Sequence, residues 1–277
     1  MSLNCRGRLL DLTRPVVMGI INTTPDSFYQ GSRKQSQEAV LEQAGKMLRE
    51  GATILDIGGM SSRPGAEPVP EAEELARVLP AIEAIAKAHP EALISIDTWR
   101  ASVARGAVAA GAHIVNDISA GRFDEQLYAT VGELGVPYIL MHMQGEPSTM
   151  QEAPTYEDVV EEVTDFFERE LRKLQEAGVS DIVLDVGFGF GKSVAHNYRL
   201  LARMQEFETV FGRQLLAGVS RKSMICKVLK VNPDRALNGT TALHMAALER
   251  GARILRVHDV REAVECVKLW EALEEAG

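Results

Sequence analysis

Short runs of apolar, often β-branched residues recur along the chain, each closing on a polar residue or a glycine and each followed by residues at helical spacing. The first run is Val16–Asn22, which ends on an amide. After a polar stretch at 23–28, a helix is predicted over 35–50 with Gly51 as its C-cap. Residues 53–59 form the next strand, followed by a Ser-, Pro- and Gly-rich loop at 60–70 and a helix over 71–88. Further short strands are read at 93–97, 114–119 and 138–142, separated by helices over 99–110 and 124–134. A strongly amphipathic helix over 156–177 leads into the strand 182–184, with Asp185 at its end. A helix over 195–205, a strand over 214–220, a helix over 233–250, a strand over 253–259 and a terminal helix from Arg261 complete the series.

Strands that read as near-continuous apolar runs and alternate with helices belong to a parallel sheet buried on both faces. The count is roughly eight, and 277 residues is close to the ~250 typical of one (β/α)8 TIM barrel. The expectation is an α/β chain forming a single barrel domain over 1–277, with no linker interrupting the alternation. A doubly wound open sheet stays open as the alternative, because periodicity does not show closure.

Composition changes this picture little. With 30 Lys and Arg against 39 Asp and Glu, the net charge of -9 argues against a nucleic-acid surface, while leaving room for a local basic pocket. No apolar run of membrane-spanning length is present, and the N-terminus lacks the apolar core of a signal peptide, so a soluble cytoplasmic protein is expected. Cys5, Cys226 and Cys266 are odd in number and lack metal or redox spacing, which predicts free thiols.

Chemistry concentrates at one end of the strands. Asn22, Asp56, Asp97, Asn116, Asp117, His142, Asp185, Ser220, Arg256 and His258 all fall at or near C-terminal strand ends, the face on which a barrel builds its active site. Any one of these could cap a helix or bond a loop amide. Together, Asp97, Asn116 and Asp185 suit a flat polar heterocycle, and Arg63, Arg221, Lys222, Arg256 and His258 could receive an anion. Asn22 offers a neutral oxygen to a Mg2+ that keeps most of its waters. The turn Gly187-Phe-Gly-Phe-Gly-Lys192 is not a phosphate loop, since three residues rather than four separate Gly187 from Gly191-Lys192, and the glycine spacing also misses the dinucleotide fingerprint. Phe188 or Phe190 could wall a flat pocket beside Asp185. Gly218-Val-Ser-Arg-Lys222 lacks the second glycine of a hydrolase nucleophile elbow, and His142 has no Cys or second His at zinc spacing. Met141, Met143 and Met150 read as lining or core.

In order along the chain, Met18–Phe28, Gly58–Gly65, Ser95-Ile-Asp-Thr98, Val115-Asn-Asp-Ile118, Met141–Gly145, Leu184–Lys192, Gly218–Ser223 and Arg256-Val-His-Asp259 resemble the motifs of the dihydropteroate synthase family, over nearly the whole length. The resemblance implies a TIM barrel that condenses 6-hydroxymethyl-7,8-dihydropterin diphosphate with 4-aminobenzoate, releasing diphosphate, and that is a target of sulfonamides. It implies that Asp97, Asn116, Asp185 and Lys222 hold the pterin with Arg256 against its face, and that Met141 belongs to the same pocket. Asn22 would hold Mg2+ on the diphosphate, with Ser62, Arg256 and His258 on that anion. Arg63, Pro64, Phe190, Ser220 and Lys222 would shape the aminobenzoate site, and a homodimer through outer helices is expected. Asp97, Asp185, Lys222 and Arg256 are the expected catalytic set. The chain departs from the commonest family wording at Thr24, Met60, Ser62, Val186 and Cys226; Ser62 keeps a hydroxyl, while Met60 removes a loop charge.

Three rivals remain. A methyltetrahydrofolate-corrinoid methyltransferase shares barrel and pterin carboxylates but needs no diphosphate site. A non-catalytic pterin-binding homologue would not need Asn22, Arg63 and Lys222. A Schiff-base aldolase would use Lys222, with Arg221 lowering its pKa.

Overall fold

The computed structural model of the chain describes residues 2–23, 33–60 and 69–277, with the side chains of residues 33–36 outside the description. Eight parallel strands, β3 (Val16–Asn22), β4 (Ile54–Gly58), β5 (Leu93–Asp97), β6 (Ile114–Asp117), β7 (Tyr138–Met141), β8 (Ile182–Asp185), β9 (Gln214–Ala217) and β10 (Ala252–Val257), form a closed barrel. Closure is made where β10 pairs with both β9 and β3, which removes the open-sheet alternative. The outer layer is α1 (Arg33–Arg49), α2 (Glu71–Ala88), α3 (Ala101–Ala110), α4 (Leu127–Leu134), α5 (Val159–Glu176), α6 (Val194–Ala202), α9 (Leu237–Leu248) and α10 (Val260–Ala276), with shorter α7 (Gln205–Phe211) and α8 (Ser223–Leu229).

The strands look uniformly apolar in sequence because both faces are buried, yet they alternate. Outward residues such as Leu55, Ile57, Ile94, Ile96, Val115 and Leu184 pack against the helices. The intervening Met18, Ile54, Leu93, Ile114, Ile139, Val183, Leu216 and Ile254 meet inside the barrel as one apolar layer. Two positions further along, the inward residue becomes Asp56, Ser95, Asn116, Met141, Asp185 or Arg256. Barrel polarity is therefore axial, apolar at the N-terminal end and polar at the C-terminal end.

The apolar end is plugged by an antiparallel hairpin, β1 (Ser2–Cys5) and β2 (Arg8–Asp11), which sequence periodicity did not reveal because each strand has only four residues. Leu3, Cys5, Leu10 and Leu12 join the inner layer. Arg6 donates to the carbonyls of Val108 (2.8 Å) and Ala112 (3.3 Å), and Arg8 to that of Pro90 (3.0 Å), tying the hairpin to the last turn of α3 and to the helix-to-strand loops. Leu12 is 1% exposed. Leu12→Ala is expected to cost ~2–4 kcal/mol of stability in urea denaturation, through a cavity between plug and barrel, without changing the site at the opposite end.

Helices α7 and α8 were also absent from the sequence reading, being seven residues each. The helix expected over 233–250 is split, a 3-10 turn at Pro233–Arg235 preceding α9. Helix α5 begins later than periodicity indicates because Asp158 is its N-cap, accepting from the Val160 (2.8 Å) and Glu161 (3.4 Å) amides. Cys5, Cys226 and Cys266 are free thiols. Among the described residues no helix is long and apolar enough to cross a membrane.

Candidate active site

Arg256, projecting inward from β10, organises the polar end of the lumen. Its Nε donates to Asp56 Oδ2 and its Nη2 to Asp97 Oδ2, both at 2.6 Å, so one guanidinium spans carboxylates from β4 and β5. Asn116 Nδ2 donates to the same Asp56 oxygen at 3.1 Å. Asp56 Oδ1 and Ser95 Oγ are buried without a hydrogen-bond partner among the described residues, leaving an acceptor and a hydroxyl at the floor. Burial pushes Asp97 up, and the neighbouring charges of Asp56, Asp117 and Glu74 add to this while Arg256 opposes it. Gly58 at the end of β4 borders this corner: a Cβ there would lie 3.7 Å from both Asn22 Oδ1 and Asp97 Oδ2, which places the Asn22 amide beside Asp97.

Across the lumen, Asp185 and Lys222 converge beside Gly218. A Cβ on Gly218 would sit 3.9 Å from Asp185 Oδ2 and 3.6 Å from Lys222 Nζ. Asp185 Oδ1 accepts the Gly187 amide at 2.8 Å. Burial raises the Asp185 pKa, and Lys222, that amide, Arg256 and Lys192 pull the other way. Lys222 donates to the Phe188 carbonyl and lies 4.8 Å from the Phe190 ring centroid, a cation–π contact. Burial lowers its pKa to about 8; Asp185 resists and Arg256 assists. Arg221 is not among the causes. Phe190, Met141, Ile118, Met143 and Met150 form a small apolar cluster with Trp99 against it, giving the polar site one apolar wall. Phe188 instead enters the main core.

Ser220 and His258 meet at the mouth, Ser220 Oγ lying 3.3 Å from both the His258 amide and its Nδ1. The structure thus brings Asn22, Asp97, Asn116, Met141, Asp185, Phe190, Ser220, Lys222, Arg256 and His258 to the C-terminal end of the barrel, as expected from sequence. Ser62, Arg63 and Pro64 lie outside the described residues. The flanks of their segment are held from the outer layer: Arg100 donates to the Val69 carbonyl (2.8 Å) and reaches Met60 Sδ (3.4 Å), and it pairs with the fully buried Glu74, which also accepts from Thr98 Oγ1 at 2.7 Å.

Two residues of the strand-end ring, Asp117 and His142, and the candidate anion receiver Arg221 turn away from the lumen. Arg221 makes a two-pronged pair with Asp259 (2.8 and 2.9 Å) and donates to the Pro233 and Asp234 carbonyls, so it ties loops together instead of receiving an anion. Asp117 follows the inward Asn116 and therefore faces out, accepting from Tyr138 OH (2.6 Å) and the Ser119 and Gly121 amides. His142 packs edge-on to Phe166 in the helical layer. Conversely, Asp56 is the second carboxylate on Arg256; alternation along β4 could have placed it inward, but not on that guanidinium.

The described residues contain no group of three or more His, Cys, Asp or Glu arranged to hold a metal. A cation here would need waters or a substrate for most of its ligands.

The family model for pterin binding enzymes matches residues 18–258. Dihydropteroate synthase of Escherichia coli K12 is 48% identical over 274 residues, 98% of this chain and 96% of that protein. The Yersinia pestis dihydropteroate synthase, solved in a sulfonamide drug complex, superposes with a TM-score of 0.92 at 43% identity, covering 99% of this chain and all of that one. The Xanthomonas albilineans enzyme has been solved with 4-aminobenzoic acid (TM-score 0.91, 42% identity, 99% and 98% covered) and with 7,8-dihydropteroate (TM-score 0.89, 40% identity, 99% of each covered). The chain belongs to the pterin-binding enzymes and, within them, to the dihydropteroate synthases.

Proposed function

We propose that this chain condenses 6-hydroxymethyl-7,8-dihydropterin diphosphate with 4-aminobenzoate to 7,8-dihydropteroate and diphosphate, a step of folate biosynthesis and a target of sulfonamides. The observation that carries the reading is the closed set of Asp97, Asn116, Asp185, Lys222 and Arg256 around one lumen with a single apolar wall. Donors and acceptors of a pterin edge match Asp185, Asn116 and the Lys222 ammonium, and the flat ring fits between the Met141–Phe190 side and the Arg256 guanidinium. The methylene C–O bond breaks with its electron pair leaving on diphosphate. The aryl amine lone pair then forms the C–N bond and the nitrogen gives up one proton. Asp56, Asp97 and Asp185, fixed before the reaction, stabilise positive charge developing on the pterin methylene without reorganising. No protein nucleophile is required.

Diphosphate binding is assigned to Ser62, Arg256 and His258, and aminobenzoate to Arg63, Pro64, Phe190, Ser220 and Lys222. Asn22 would hold Mg2+: a neutral amide oxygen beside Gly58 and Asp97 suits a hard ion that takes its other ligands from water and substrate phosphates. When bound, that ion would offset charge on the leaving diphosphate. A cytoplasmic location and a homodimer are also proposed, the homodimer supported by Leu269 and Leu273, 63% and 59% exposed one turn apart on α10, and Val228 and Leu229 on α8. Sedimentation equilibrium is expected to give twice the chain mass.

The deciding experiment follows diphosphate release and dihydropteroate formation with Mg2+, with and without 4-aminobenzoate. Product requiring both substrates is expected. Tight pterin binding with neither product would instead favour a binding-only homologue or the corrinoid methyltransferase. Arg63→Ala is expected to raise the aminobenzoate KM roughly tenfold, as loss of one charge-assisted contact does, and to spare pterin diphosphate binding. Equal weakening of both would refute that division.

A further inference from the structure

Lys192 is a buried cation that the reaction above does not use. It is 2% exposed, and no carboxylate bonds to it. Its Nζ instead meets His142 Nδ1 at 2.9 Å and three carbonyls that accept from it, those of Gly187 and Phe190 at 3.0 Å each and that of His142 at 3.3 Å. These come from two loops, the one after β7 and the glycine turn after β8. Burying an amine with no carboxylate in hydrogen-bond contact is costly, so this arrangement contributes little to stability for its own sake. Burial drives the Lys192 pKa well down; the charge of Asp185 opposes this and that of Lys222 adds to it.

What the contacts do is fix the turn. Gly187 and Gly191 take φ of +68° and +61°, and a Cβ at either would lie about 2 Å from the carbonyl oxygen of His142 or Gln144, so the turn is pressed onto the neighbouring loop. With the Gly187 and Phe190 carbonyls drawn back onto Lys192, the Phe188 carbonyl faces forward to Lys222 and the Phe190 ring lies beneath that ammonium. The Gly187 amide is left to hold Asp185 Oδ1. One amine stands behind the turn and one in front, and the pterin-facing groups lie between them.

We propose that Lys192 is a positioning residue for pterin recognition, acting through the 187–190 turn to set the pose of Asp185 and Phe190 and the seat of Lys222. The proposal rests on the reading that Asp185 and Lys222 bind the pterin. It assigns no contact between Lys192 and substrate.

The test uses the full-length protein and 6-hydroxymethyl-7,8-dihydropterin alone, titrated by fluorescence at a temperature where near-UV circular dichroism shows each variant folded. Lys192→Met keeps the apolar stem and removes every donor; it is expected to weaken pterin binding at least roughly tenfold, the loss of more than one buried hydrogen bond. Lys192→Gln restores two N–H donors on a shorter stem and is expected to recover at least threefold of that loss; if the Met variant does not fold, Gln is compared with the native chain, where binding about threefold weaker is expected and unchanged binding overturns the role. Asp185→Asn is run beside them. If Asp185→Asn weakens binding while folded Lys192→Met does not, or if Gln binds no better than Met, the positioning role is overturned. If Asp185→Asn leaves binding unchanged, the underlying pterin-site reading is what has failed.

Discussion

Arg256→Met is expected to cut turnover on the order of a hundredfold or more and to destabilise the fold by about 3–5 kcal/mol, the cost of breaking a buried ion pair. The reason lies in its partners. Asp56 is fully buried and the Asp97 side chain is 14% exposed, so removal of the guanidinium leaves two carboxylates side by side on adjacent strands with little water to screen them. Asp97 would then titrate further upward, adding to the upward push that burial already gives it. Arg256→Lys separates the two effects. A single ammonium keeps a cation between the carboxylates but cannot reach both at 2.6 Å in the forked geometry of the native pair. Its denaturation midpoint is expected to recover most of the loss while turnover stays low. Full activity in Arg256→Lys would show that charge alone, not the fork, matters.

The second large effect is a loss of activity above pH 8. Lys222 sits beside Asp185 and over Phe190, and burial lowers its pKa to about 8. If the ammonium is the form that donates to the pterin, kcat/KM for dihydropterin diphosphate falls above about pH 8, approaching tenfold per pH unit as one proton is lost. Lys222→Arg, protonated throughout this range, is expected to be less active at neutral pH but flat from pH 7 to 10. Stability moves the opposite way. A lysine whose folded pKa lies below its ordinary 10.5 carries a cost of burying charge that is fully present below about 8 and is relieved between about 8 and 10.5. The stability gap between the Lys222→Met variant and the native chain is therefore expected to narrow over the window in which native activity drops. An activity limb that persists unchanged in Lys222→Arg would assign the titration to another group.

Much of the site could be read in one dimension because parallel strands bury both faces and place their C-terminal residues on a common rim. Asp97, Asn116, Asp185, Arg256 and His258 each close a short apolar run, and alternation with helices puts all such ends at one side of the barrel. Asp117 shows where that reasoning stops: it too ends a run, yet it follows an inward residue and so points to the helices. Arg221 shows a second limit, since its partner Asp259 is distant in sequence and nothing local distinguishes a cation for substrate from one that ties two loops. The hairpin plug fell below the length at which period-two patterning is legible.

The sequence by itself determined the strand and helix alternation, the end of the barrel that carries polar chemistry and, through motifs spread over the chain, the family. Those depend on residue type and spacing, which local sterics and burial translate directly into structure. Barrel closure, the pairing of Arg256 with Asp56 as well as Asp97, and the placing of Lys192 behind the glycine turn were decided only by tertiary structure. Each requires groups far apart in the chain to share a low-dielectric site, and the energy of such a meeting depends on distance and burial, which no stretch of sequence contains.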